Sequence, residues 1–218
     1  MPIWNKVGIQ NRNSPLIEHL SFFHDHTIIL IIRITTLTLS IIMISVKIKR
    51  FNRFILESHQ TEVFWTSIPA FLLVFIALPS IKTLYIIEEI VSPLITIKAI
   101  GYQWHWSYEY SNLIGKIVTS IISGTNKVRL RAVSNVLVIP TMSPTRIIVT
   151  SKDVLHSWTI PSIGVKADAT PGRMNQVILI TKRPGIIIGQ CSEICGAGHR
   201  FIPIIMERPH IKKFVKII

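Results

Sequence analysis

Two apolar stretches constrain this chain more than anything else in it. Thr27 to Val46 reads TIILIIRITTLTLSIIMISV, twenty residues with a single charge, Arg33. A hydrocarbon core is roughly 30 Å thick and a helix rises about 1.5 Å per residue, so the length suffices to cross it. An arginine near a helix centre costs about 3 kcal/mol, while each Ile or Leu returns about 0.3–0.6 kcal/mol. The stretch holds thirteen Ile, Leu, Val or Met residues, so insertion wins on balance. Val63 to Ile81, VFWTSIPAFLLVFIALPSI, carries no charge at all. Pro69 and Pro79 would kink or break a soluble helix but are tolerated in a membrane. Trp65 near one end and Tyr85 beyond the other suit the two interfaces. The alternative, a buried helix pair in a soluble protein, fits two runs of this length poorly.

The linker between them, Lys47 to Thr61, gathers Lys47, Lys49, Arg50 and Arg53. The positive-inside rule places it on the matrix or cytoplasmic side, so both termini are expected on the opposite side. The first residues, MPIWNKVGIQ, show neither a secretory signal nor an arginine-rich amphipathic presequence. A chain that inserts without either is expected to be made inside the organelle that uses it.

From Glu88 the pattern changes to short β-rich runs: LITIKAI, VRLRAVSNVLVIP, TRIIVTS, HSWTIPSIGV, QVILITK, GIIIGQC and FIPIIME. Pro, Gly, Ser and Asn separate them, which is the pattern of a β-sandwich or barrel. The expected plan is a membrane helical hairpin within residues 1–87 carrying a water-exposed all-β domain over 88–218. With 49% hydrophobic residues the chain is not disordered, and two cysteines exclude a disulfide-built scaffold. The net charge of +13 suits an anionic partner in principle. The β half has sixteen bases against seven acids, +9. No basic residues alternate with stacking aromatics as a nucleic-acid reader requires, so no nucleic-acid partner is expected.

The chemistry-bearing segment is GQCSEICGAGHRFIP, Gly189 to Pro203. Cys191, Cys195 and His199 follow one another four residues apart, and His156 lies in DVLHSW upstream. Two thiolates with two imidazoles select copper, zinc or iron. A disulfide explains neither histidine. A structural zinc site fits the cysteine spacing but not the histidines, which zinc sites usually pair as H-x₃₋₅-H. One ligand from an early strand and the rest from a late loop is how cupredoxin-like sandwiches hold copper. Blue copper uses one cysteine; two on one loop point to two coppers bridged by both sulfurs.

The chain resembles the cytochrome c oxidase subunit II family of mitochondria. The likeness rests on FFHDHT (22–27), EVFWTSIPA (62–70), IALPS (76–80), GYQWHWSYEY (101–110), DVLHSWTIPSIGVKADATPGRMNQ (153–176) and RPGIIIGQCSEICG (183–196). It implies a two-helix hairpin in the mitochondrial inner membrane and a cupredoxin-like Greek-key domain in the intermembrane space. It implies a dinuclear copper A centre held by His156, His199, bridging Cys191 and Cys195, and the Glu193 carbonyl. The Glu193 carboxylate would face a magnesium ion shared with subunit I. Trp104 would be where electrons enter from cytochrome c, and Glu62 an acid at the mouth of a proton-uptake path in subunit I. Lys166 and Asp168 resemble residues near the haem propionates. The implied function is transfer of electrons from reduced cytochrome c to haem in subunit I, for reduction of oxygen to water coupled to proton pumping. A structural or assembly subunit with a degenerate copper site is the alternative. A quinol oxidase subunit II is a further one, which the two cysteines disfavour.

Some positions depart from the family. A methionine ligand is expected three residues after the last histidine, where this chain has Ile202. Met206 is four residues further on, about 13 Å along a strand, too far to replace it. Tyr102 and His105 stand in reversed order, and the segment Ser111 to Val128 lacks the acids that would attract a basic cytochrome. Isoleucine fills 43 of 218 positions, about twice what is expected of a hydrophobic chain. Arg33 lies inside a membrane span, and Arg200 and Arg208 fall where relatives often have serine. Mitochondrial codes differ in reading ATA as methionine or isoleucine and AGA as a small residue or arginine. A gene read with the wrong code accounts for the isoleucine excess, Ile202 and these arginines, and predicts methionine at 202 and small residues at 33 and 200. A genuinely divergent chain with an altered metal site is the alternative.

Overall fold

The computed structural model describes residues 11–48, 54, 56–89, 92–111, 116–123 and 132–217. Lys49, Arg50 and Arg53 of the basic linker, and half of the segment 111–128, lie outside the described residues. Two compact units emerge: residues 19–86, and residues 11–18 with 87–217.

The first unit is helical. Helix α1 runs Pro15–Lys47 and α2 runs His59–Glu88, 33 and 30 residues. Both exceed the apolar stretches that predict them, and both are long and apolar enough to cross a membrane. Their side chains point outward with little internal burial, as helices solvated by lipid require. The hydroxyls within them turn back on the backbone: Thr35 Oγ1 donates to Ile31 O at 2.8 Å, Ser40 Oγ to Thr36 O at 2.7 Å, Ser45 Oγ to Ile41 O at 2.8 Å and Thr83 Oγ1 to Pro79 O at 2.8 Å. Such bonds keep these hydroxyls from facing hydrocarbon unpaired. Pro69 and Pro79 sit within α2 without ending it.

The start of α1 belongs to the β unit. Ser14 caps it, its Oγ accepting from Ile17 N at 3.1 Å, with Pro15 at the first helical position. The Asn13 backbone donates to Ser162 O and accepts from Lys182 N. Glu18 and Lys182 form an ion pair.

Among the described residues the β unit has ten strands: β1 Ile95–Tyr102, β2 His105–Tyr110, β3 Ile117–Ser120, β4 Leu137–Val138, β5 Thr145–Ser151, β6 His156–Ile160, β7 Val165–Ala169, β8 Asn175–Leu179, β9 Gly185–Gln190 and β10 Pro203–Arg208. One sheet has the order β3-β2-β1-β5-β8, a second β4-β10-β9, and β6-β7 form a ribbon. Among the described strands, β1–β5 and β4–β10 pair in parallel. Between the layers lies one core containing Trp106, Tyr108, Trp158, Ile147, Ile160, Leu137 and Met206, all fully buried. Gly189 lets β9 close on β6, since a Cβ there would stand 1.9 Å from Thr159 O. A short helix α3, Ile211–Ile217, tucks Phe214 into the core.

Ile202 lies in the same core, 1% exposed, and its carbonyl accepts from Cys191 N at 3.1 Å. Met206 is buried on β10 opposite Ile187. Arg208 is 3% exposed. Its Nε donates to Gly185 O at 3.3 Å, but its Nη1 finds no partner among the described residues. Burial and the neighbouring Arg183 push this guanidinium down to about 10.

Candidate metal centre

Three loops converge at one end of the sandwich. The β9–β10 connection supplies Cys191, Glu193, Cys195 and His199. The β5–β6 connection supplies Asp153 and leads into His156, and the β1–β2 turn supplies Gln103 and Trp104.

The ligand atoms of His156, Cys191 and Cys195 lie within 4.8 Å of one another, and all three residues are buried. Both cysteines are free. His156 Nδ1 is 3.9 Å from Cys191 Sγ, and His199 Nδ1 is 3.5 Å from Cys195 Sγ. The Glu193 carbonyl oxygen is 3.4 Å from Cys191 Sγ. Each sulfur is thus faced by one imidazole, and one also by a carbonyl. Two soft sulfurs and two imidazoles gathered at a largely buried pocket fit a soft metal such as copper or zinc. Ile202 brings no donor atom.

The electrostatics treat the two thiols differently. Burial opposes a Cys191 thiolate, but hydrogen bonding by His156 and by the Ser157 and Glu193 backbones outweighs it and holds the thiol below its ordinary value. Burial and the nearby Cys191 push Cys195 up to about 12. Without a cation only one of the pair ionises readily, and a bound metal would deprotonate the other. Burial works against a charged His156, but bonds to Cys191 and Asp153 outweigh it and raise its pKa.

Trp104 occupies the β1–β2 turn and is 41% exposed. Its indole covers the metal loop, since a Cβ on Gly198 would lie 2.4 Å from Trp104 Cδ2. Gly101 performs the same service for His156, whose Cδ2 would be 2.9 Å from a Cβ there.

Other residues singled out from the sequence are not among these ligand groups. Glu62 is exposed in the first turn of α2, with His59 Nδ1 3.6 Å from its carboxylate. Lys166 and Asp168 share the outward face of β7. Tyr102 and His105 stack with ring centroids 4.8 Å apart. Sequence reasoning gave neither Asp153 nor Gln103 a part in the metal site, yet the fold brings both against the ligands. The only signal for Asp153 is its place three residues before His156.

Comparison with known proteins agrees. A family model for the cytochrome c oxidase subunit II periplasmic domain matches residues 95–209, and one for its transmembrane domain matches residues 2–83. Cytochrome c oxidase subunit 2 of Aedes aegypti is 48% identical over 221 residues, covering 99% of this chain and 97% of that protein. The counterpart from Ctenocephalides felis gives the same 48%, 99% and 97%. Among solved structures, the periplasmic domain of cytochrome oxidase subunit II from Bradyrhizobium japonicum superposes with TM-score 0.57 at 38% identity, covering 59% of this chain and 93% of that one. A subunit II domain in a mixed disulfide intermediate with a thioredoxin-like protein gives TM-score 0.54 at 36% identity, covering 59% and 91%.

Proposed function

This chain belongs to the cytochrome c oxidase subunit II family, and we propose that within the oxidase it carries the dinuclear copper A centre that receives electrons from reduced cytochrome c. The supporting observation is the pairing of each buried cysteine with its own histidine, His156 with Cys191 and His199 with Cys195, beneath the exposed ring of Trp104. Copper held by these groups and the Glu193 carbonyl supplies a centre that takes up and releases one electron at a time. The chain's own residues prepare for it. Cys191 is poised to ionise, both imidazoles turn Nδ1 to a sulfur, and the apolar core excludes water from the sulfurs. Because the ligands hang on loops braced by two packed sheets, they need move little as charge changes, which is the protein's contribution to such a cofactor.

On this reading Trp104 passes electrons from the docked cytochrome, and haem in subunit I accepts them for oxygen reduction coupled to proton pumping. The Glu193 carboxylate faces a magnesium ion shared with subunit I. Glu62 serves proton uptake, and Lys166 and Asp168 lie near the haem propionates. The subunit sits in the mitochondrial inner membrane with both termini in the intermembrane space. Ile202 alone favours the rival, an assembly subunit with a degenerate site. Copper analysis of this subunit, separated from the rest of the oxidase, distinguishes them. Two copper ions per chain support the carrier; none supports the scaffold.

A further inference from the structure

We propose that Asp153 is a positioning residue of this centre, holding the His156 ring so that Nδ1 is turned to Cys191, and that Gln103 links the same carboxylate to the Cys195 loop. The inference rests on the metal-binding reading given above but concerns the ring that the metal would meet.

A carboxylate is an acceptor only. Asp153 Oδ1 lies 2.8 Å from His156 Nε2, so the proton of that contact sits on Nε2. A neutral imidazole has one N–H, which leaves Nδ1 with the lone pair. Nδ1 is the atom that faces Cys191 Sγ. Asp153 therefore selects the tautomer able to ligate.

The carboxylate is itself fixed. Oδ2 accepts from Gln103 N at 2.6 Å, and Oδ1 accepts from Val154 N at 2.6 Å and from Ser151 Oγ at 3.3 Å. Gln103 then reaches the other half of the centre, its Nε2 donating to Cys195 O at 2.8 Å. The histidine ring has no slack to turn away. It is fully buried, Gly101 closes on one side, and Trp106 meets it edge-on at 5.9 Å. One chain of hydrogen bonds, His156–Asp153–Gln103–Cys195, thus runs from one imidazole to the loop carrying the second thiol. A ligand histidine held this way through its distal nitrogen keeps its orientation and gains basicity.

The test uses the full chain in detergent, loaded separately with copper and with zinc, a diamagnetic ion that takes the same donors. The variants are Asp153→Ser, which keeps a short acceptor for the turn but cannot reach the imidazole, and Gln103→Ala. In the zinc form, NMR of the parent should show a His156 Nε2 proton that exchanges slowly with solvent. In Asp153→Ser that proton should exchange faster, and copper retention against a chelator should fall about 10-fold or more. The copper reduction midpoint should rise as the imidazole loses basicity. Gln103→Ala should move all three the same way by less. A parent Nε2 proton already in fast exchange overturns the proposal, whatever the variants do. So does a folded Asp153→Ser with parental retention, spectrum and midpoint. A parent that takes zinc with a slow Nε2 proton but no copper removes the copper reading and leaves the positioning role standing.

Discussion

The α-carbon of Gly198 lies directly against the indole of Trp104: a Cβ there would stand 2.4 Å from Cδ2 and 2.5 Å from Cγ. Gly198 has φ −86°, which any residue adopts, so only the ring forbids a side chain. The contact fixes Trp104 over the loop that holds Cys195 and His199. Gly198→Ala must displace the indole or the loop. Copper per chain should stay at the parental value while electron transfer from reduced cytochrome c slows about tenfold or more, since an ångström of misplacement costs up to about 10²-fold where geometry must be kept. Rapid-mixing kinetics measure it, and an unchanged rate would remove Trp104 from the route.

Gly189 marks a tighter constraint, because there the obstacle is backbone. A Cβ would stand 1.9 Å from Thr159 O and 2.9 Å from Ile160 Cγ1. The carbonyl is backbone and cannot rotate aside. Gly189→Ala should separate β9 from β6 and destabilise the β unit by about 3 kcal/mol, at the upper end for overpacking. Thermal unfolding followed by near-ultraviolet dichroism reads the loss. Because β9 leads into Cys191, metal retention should fall with it.

These two glycines show what the sequence could and could not convey. The membrane helices were legible because twenty apolar residues in a row have few other uses. The cysteine loop was legible because its ligands are close in sequence. Strand β2 was not. Trp106, Ser107 and Tyr108 are all buried, so the alternation that announces a strand is missing. Helix α3 has seven residues, too short for a helical period, and is anchored by Phe214 alone. The partnership of Asp153 with Gln103 spans 50 residues. It exists because β1 pairs in parallel with β5, which brings the turn after one beside the loop after the other. No local pattern encodes that pairing.

Arg208 is a buried cation with no facing acid, and Arg183 is its charged neighbour. Leaving such a charge uncompensated costs several kcal/mol. Arg208→Ser in the sequence as written should therefore raise stability in denaturant by about 1 kcal/mol or more, even after the lost packing of the aliphatic stem. The sign of the pH dependence follows from the depressed pKa. The folded chain gives up the Arg208 proton from about pH 10, while the unfolded chain holds it to much higher pH. Above about 10 the unfolded state binds more protons, so the penalty shrinks as pH rises. The advantage of the variant should be full at pH 7–9 and narrow beyond 10. A difference that stays flat across that range would mean the charge is not its origin.

Ile202 is where sequence and centre disagree most directly. Its side chain is buried in the core that also holds Cys191 and Cys195, and its carbonyl pairs with Cys191 N. A methionine of similar volume can occupy such a position for less than about 1.5 kcal/mol, and it would add the thioether that the family's copper site uses. Ile202→Met should therefore leave the unfolding midpoint nearly unchanged while slowing copper loss to a chelator. Peptide mass spectrometry of the native subunit across Gly196 to Arg208 gives the complementary result. Methionine at 202 with a small residue at 200 means that the gene's code was misread and the donor set is complete. Isoleucine at 202 with arginine at 200 means a divergent centre that relies on two thiolates, two imidazoles and a carbonyl. In that case the parent should lose copper faster than Ile202→Met, and Asp153 and Gln103 should matter more, because fewer ligands hold the metal in place.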